Sequence, residues 1–181
     1  MHNSLAEHYL ENVALNFRKL KELAEGAARQ VDDEEFFRVP GDESNSIAVV
    51  FKHVGGNLRS RWTDFLTSDG EKADRARDTE FIAEGESRAA ILEKWEEGWA
   101  RLFEAVGSLA PGDLLRSVKI RGESHTVVEA VNRQLTHYAY HVGQIVFLAK
   151  LYKSGEWKTL SVARGRSGAF NEEMRDKHEK A

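Results

Sequence analysis

Apolar residues recur at helical spacing in four stretches of the chain. In the first, Leu5, Tyr9, Val13, Phe17, Leu20 and Leu23 fall three or four positions apart, which puts their side chains on one side of an α-helix. Ser4 followed by Glu7 reads as a capping box that opens this helix, and the pattern fades near Gly26. A polar connection containing Pro40 and Gly41 follows. Ser46 is a plausible N-cap for a second helix whose apolar side is Ile47, Phe51, Val54, Leu58, Trp62 and Phe65. The Gly55-Gly56 pair weakens that helix locally, by roughly 1 kcal/mol per glycine relative to alanine.

From Thr67 to about Glu86 the chain is charged and shows little helical pattern. Ser87 then caps a third helix carrying Leu92, Trp95, Trp99, Leu102 and Val106, which ends near Gly107 and Pro111. Val118 to Val127 alternate apolar and polar around Gly122, so a short hairpin is expected there. Thr126 with Glu129 forms a second capping box and opens the longest and most apolar helix, Val127 to about Lys153, which Gly155 ends. Residues 157–181 are basic and glycine-containing, then highly charged, and read as a loop packed on the body followed by a mobile end.

Four amphipathic helices with one small sheet element predict an all-α four-helix bundle, formed by one domain over residues 1–181 with a tail from about 157. A helix of about 20 residues is ~30 Å long, so the long second connection has the length to carry the chain back and run the second and third helices parallel.

Composition then narrows the function. The formal net charge of -4 mixes many charges of both signs, so no global field favours nucleic acid or an anionic membrane. No run approaches the ~20 apolar residues needed to cross a bilayer, and no apolar stretch follows a basic start, which predicts a cytoplasmic protein. Cysteine is absent, which removes disulfides, thiolate nucleophiles and Cys-based zinc sites together. Any thiol chemistry would use an imported sulfur.

The fourth helix carries the most suggestive chemistry. Val131, Leu135, Tyr138, Val142, Ile145 and Ala149 share its apolar face, and beside them runs a polar stripe of Gln134, His137, His141 and Gln144. Polar groups at the edge of a core cost on the order of 1–3 kcal/mol each if buried unpaired, so something must satisfy them. Histidines at i and i+4 stand one turn apart and can share an ion. On the second helix, His53 lies at the margin of the apolar face, with Asn57 one turn onward, and can lean toward that pair. Three neutral imidazoles suit zinc, nickel, iron or copper and leave room for water or substrate. With seven histidines in the chain an i, i+4 pair also arises by chance, and hydrogen-bonded core histidines are the competing reading. His2, His8, His125 and His178 read as surface residues.

At these residues the chain resembles the DinB-like superfamily of four-helix bundles, within an uncharacterised bacterial subgroup. The resemblance lies in NSIAVVFKHVGGNLRSRWTDFLTSDGEK, IRGESHTVVEAVNRQLTHYAYHVGQIVFLAK and WKTLSVARGRSGAFN. It implies one divalent ion (zinc, nickel or iron) on three histidines, at places matched by His53, His137 and His141. It also implies helices ordered up-down-down-up, and frequent homodimers. Characterised relatives use low-molecular-weight thiols such as bacillithiol or mycothiol as S-transferases or isomerases, and others are described as metal-dependent hydrolases. The subgroup has no settled reaction.

The expectation is therefore a metal-dependent enzyme acting on a small molecule, foremost a thiol S-transferase, since an ion that binds a thiolate lowers its pKa and presents it to an electrophile. The alternatives are hydrolysis by metal-activated water, or a non-catalytic module in which the ion only locks two helices. Asn57, Arg61 and Gln144 are candidates for orienting substrate or ligands, against the plainer reading of salt bridges and caps. Arg164, Arg166 and Ser167 could close over the site or simply cover a helix end. Tyr140, Phe147 and Leu151 lie off the main apolar face of the fourth helix and suggest a dimer seam.

Overall fold

In a computed structural model that describes residues 4–179, four long helices dominate: α1 (Leu5–Ala28), α3 (Ile47–Trp62), α4 (Arg88–Gly107) and α5 (Val127–Lys153). Two shorter ones, α2 (Asp33–Phe37) and α6 (Ser167–Glu179), a two-stranded antiparallel sheet and three short 3-10 turns complete the regular structure among those residues. The four long helices begin where the sequence predicts. Ser4, Ser46, Ser87 and Thr126 each accept a backbone N–H three residues on, and Ser4–Glu7 and Thr126–Glu129 are full capping boxes.

Side-chain pairings fix how the helices run. Phe51 meets Trp95, and Gly55 and Leu58 approach Gly98, so α3 and α4 run in the same direction. Tyr9 reaches Asn132, Phe17 meets Tyr138 and Gln30 bonds Lys158, so α1 and α5 also run together. Phe17 against Trp99, Lys21 against Glu96 and Arg88 against the Ala28 carbonyl set α4 antiparallel to α1. Aromatic rings fill the centre: Phe17 touches Trp62, Trp99 and Tyr138 with centroids 5.9, 6.3 and 6.0 Å away.

A glycine on each of α3 and α4 serves packing. A Cβ at Gly55 would lie 3.3 Å from the Lys94 carbonyl oxygen, and one at Gly98 would lie 2.8 Å from the Leu58 Cβ. Their absence lets α3 and α4 approach closely, and the helix stays continuous through the pair, so close contact offsets the local propensity cost.

The hairpin pairs β1 (Ser117–Ile120) with β2 (Glu123–Thr126) in the register Ser117↔Thr126 to Ile120↔Glu123. Its two-residue turn, Arg121 (φ 56) and Gly122 (φ 79), has both residues left-handed, the twist that suits a tight hairpin. The turn's two N–H groups donate to the Asp69 carboxylate at 2.8 and 2.7 Å, which ties the hairpin to the long connection between α3 and α4.

Three expectations change. That connection is not featureless, since Arg77–Phe81 forms a 3-10 turn against α3. The tail from 157 is not loop alone: its first residues dock on α1 through Gln30 and through Leu160 beside Gly26, and α6 then follows. That helix has no buried residue, so apolar patterning gave no sign of it. His125 is half-buried in β2, where its cross-strand partner is the buried Val118, whereas His8 and His178 are exposed. His2 lies outside the described residues. Among the described residues no helix is long and apolar enough to cross a membrane.

Candidate metal centre

His53 projects from the middle of α3, and His137 and His141 project from successive turns of α5, which crosses it antiparallel. One nitrogen of each ring lies within 4.8 Å of the others, so the group could hold a metal ion. The Nε2 atoms of His137 and His141 are 3.1 Å apart. Nitrogens at about 2.0–2.1 Å from one tetrahedral ion lie roughly 3.3 Å apart, so this pair already has the spacing of two ligands. The rings of His53 and His141 stand edge to face at 4.9 Å between centroids.

The outward nitrogens determine what points inward. His53 Nδ1 is 2.9 Å from Glu80 Oε2, and His141 Nδ1 is 2.8 Å from Gln144 Oε1. Both partners are acceptors, so each Nδ1 carries the proton and donates it. Each Nε2 then presents a lone pair to the centre, the arrangement that orients histidine on metals. His137 has no such anchor: its Nδ1 is buried without a hydrogen-bond partner among the described residues. Burial, reinforced by His141, His53, Arg61 and Arg75, pushes His137 down to about 3, and burial also lowers His141 despite the bond to Gln144. Neutral imidazole is the form that binds a metal.

Glu80 is the residue that sequence reading missed. It is buried, in the 3-10 turn of the charged connection, and no periodicity marks it. Burial alone would raise its carboxyl, but the bonds from His53 and Arg75, with the Arg75 charge, hold it below the usual carboxylate range. Arg75 grips it through Nε and Nη2, both at 2.8 Å. Arg75 and Arg61 also converge on Glu71, which receives Arg121 as well. The one available signal was Gly56, where a Cβ would lie 2.7 Å from the Glu80 carboxyl carbon. A glycine at that point on α3 is what lets the carboxylate reach His53 from the same side of the helix.

The other candidates divide. Gln144 accepts from His141 Nδ1 at 2.8 Å. Asn57 and Arg61 line the cavity beside the triad but are engaged: Asn57 Oδ1 accepts from Tyr138 at 3.0 Å, and Arg61 donates to the Gly70 carbonyl and to Glu71. Arg164, Arg166 and Ser167 do not line that cavity, because the tail docks on α1. The α4 tryptophans Trp95 and Trp99 are core. Tyr140, Phe147 and Leu151 are exposed on α5.

Helix content and site together define a mostly helical protein with a histidine triad suited to a metal ion. Its sequence belongs to the family described as Protein of unknown function (DUF1572), whose model matches residues 4–166. No curated protein and no solved structure matches the chain.

Proposed function

We propose that the chain is a DinB-like four-helix bundle, α1, α3, α4 and α5 ordered up-down-down-up. In this reading it holds one divalent ion on His53, His137 and His141 and acts as a cytoplasmic metal-dependent enzyme on a small molecule. The parallel pairs α3–α4 and α1–α5 support the bundle order. The convergence of three imidazoles from two helices, two of them with their protons fixed outward, is the observation that carries the metal.

When bound, such an ion lowers the pKa of a sulfur or oxygen nucleophile beside it. The chain's own residues do the rest. Glu80 and Gln144 hold two rings in orientation, and the Arg75 clamp keeps Glu80 ionised and in place. A cavity of about 430 Å³, lined by His53 and His137, adjoins the triad and has the size of a small-molecule site. That open side favours catalysis over a purely structural ion, which would be closed by protein ligands. With no cysteine in the chain, thiol transfer would draw its sulfur from a low-molecular-weight thiol, and this S-transferase reading comes first. Hydrolysis is the second, since three neutral ligands leave the ion's charge available to acidify water. Homodimers through α5 are supported by Tyr140, Phe147 and Leu151, which are 65%, 67% and 54% exposed.

Elemental analysis of the purified protein beside a His137→Ala variant tests the reading. About one equivalent of metal is expected in the first and little in the second, and equal content in both would remove the proposed ligand. A cobalt-substituted sample whose visible spectrum changes on adding bacillithiol supports the transferase. A spectrum unmoved by thiols, with chelation that lowers Tm, supports the structural module.

A further inference from the structure

The cavity beside the triad is strongly one-sided in charge. Arg61, Arg75, Arg77, Arg121 and Arg133 line it, and no carboxylate does so among the described residues. Three carboxylates stand behind that wall, Asp69 at the hairpin turn with Glu71 and Glu80. Glu71 takes Arg61, Arg75 and Arg121, and Glu80 takes Arg75 and His53. Arg77 and Arg133 are left over: neither has a carboxylate partner among the described residues, and both are exposed at the mouth of the cavity. Arg77 is not free to wander, since its guanidinium lies 5.1 Å from the Phe81 ring, which itself packs on His53 at 4.9 Å. Five guanidinium groups against three carboxylates leave a surplus of positive charge in a concave site, where field lines concentrate. The sequence as a whole is acidic, so this patch runs against the net charge of -4.

We infer that this cavity is an anion subsite, in which Arg77 and Arg133, with Arg121 beside them, bind a phosphate or carboxylate head group of the substrate. The inference deepens the metal-enzyme reading, because the same cavity is walled by His53 and His137. A head group held at the arginines sets the rest of a small molecule against the triad. Guanidinium forks match both kinds of oxyanion, so the shared chemistry is an oxyanion acceptor and not one named compound.

Calorimetric titration of inorganic phosphate and of succinate into the full chain, with and without metal loading, tests it. Arg77→Gln and Arg133→Gln should each weaken binding by roughly threefold to tenfold, and the double variant by more than either. Arg164→Gln, a cation on the docked tail, should change nothing. Both arginines of the pair are exposed, so their loss leaves the fold intact, which unchanged Tm and metal content verify. Loss of either probe's binding in the double variant supports the subsite, and the tighter probe identifies the head group. Binding equal in the double variant and in Arg164→Gln overturns it, as does binding that needs the metal and ignores the arginines. Arginine-dependent binding by a protein that never takes up metal would leave the subsite standing and sink the metal reading alone.

Discussion

Replacing Glu80 by glutamine is the sharpest perturbation of the proposed centre, because it keeps the volume and removes the charge. Glu80 is 6% exposed and accepts three hydrogen bonds, one from His53 and two from Arg75. A glutamine side chain can still offer its oxygen to one of them, but its amide N–H₂ must then face the other donor. If the oxygen stays with Arg75, His53 loses the acceptor that holds its proton on Nδ1, and Nε2 is no longer fixed as the inward lone pair. Losing an acceptor of this kind behind a metal-bound histidine weakens metal affinity about 10- to 100-fold, or roughly 1.4–2.7 kcal/mol at 1.36 kcal/mol per decade. In the metal-free protein the exchange also strips a partner from buried Arg75, which keeps Glu71 at 3.3 Å. A remaining partner should hold the stability cost below the 3–5 kcal/mol typical of a fully orphaned buried charge. The assay is competition for zinc against a chromophoric chelator, beside denaturant melts of the chelated proteins. Weaker metal binding with a folded apo protein is expected. Unchanged affinity in a folded Glu80→Gln protein would refute the claim that the His53–Glu80 contact organises the centre.

Gly56→Ala should act on the same contact from the other side, since the added methyl occupies the space of the Glu80 carboxyl group. Zinc affinity should fall at least tenfold with modest loss of stability, and the double variant with Glu80→Gln should be little worse than either single change. Tyr138→Phe removes a buried hydroxyl that donates to Asn57 and accepts from Trp62, both at 3.0 Å, and should lower unfolding free energy by about 1–3 kcal/mol while sparing metal content. For pH, the folded-state value of about 3 for His137 lies below the ordinary value of about 6.5, so the unfolded chain binds the extra proton. Its contribution to apo stability is therefore complete above about pH 6.5 and is lost as pH falls toward 3. Melts of the chelated protein from pH 7 to pH 4 should show a decline that His137→Gln flattens.

What could be read from the sequence follows from which forces are local. Helix starts set by Ser4, Ser46, Ser87 and Thr126 need only residues three apart, and the long apolar stripes need only a period. The hairpin was legible for the same reason, through alternation around Gly122. His137 and His141 share a face by spacing alone, and His53 joined them because its place on α3 borders the core. By contrast α6 buries nothing and left no pattern, and α2 is only five residues long. Glu80 lay beyond reach because its role depends on a connection whose path is fixed by distant contacts: Asp69 to the hairpin turn, Glu71 to three arginines, Arg75 back to Glu80.

That contrast bears on function. The inward side of the proposed centre is carried by two regular helices, α3 and α5. For His53 the outward side is built by an irregular, charged segment, whose Glu80 reaches the ring over Gly56 and is paired with Arg75. The same segment sets Glu80 against His53, carries Glu71 and lines the neighbouring cavity with Arg75 and Arg77, which is what the proposed anion subsite beside the proposed ion requires.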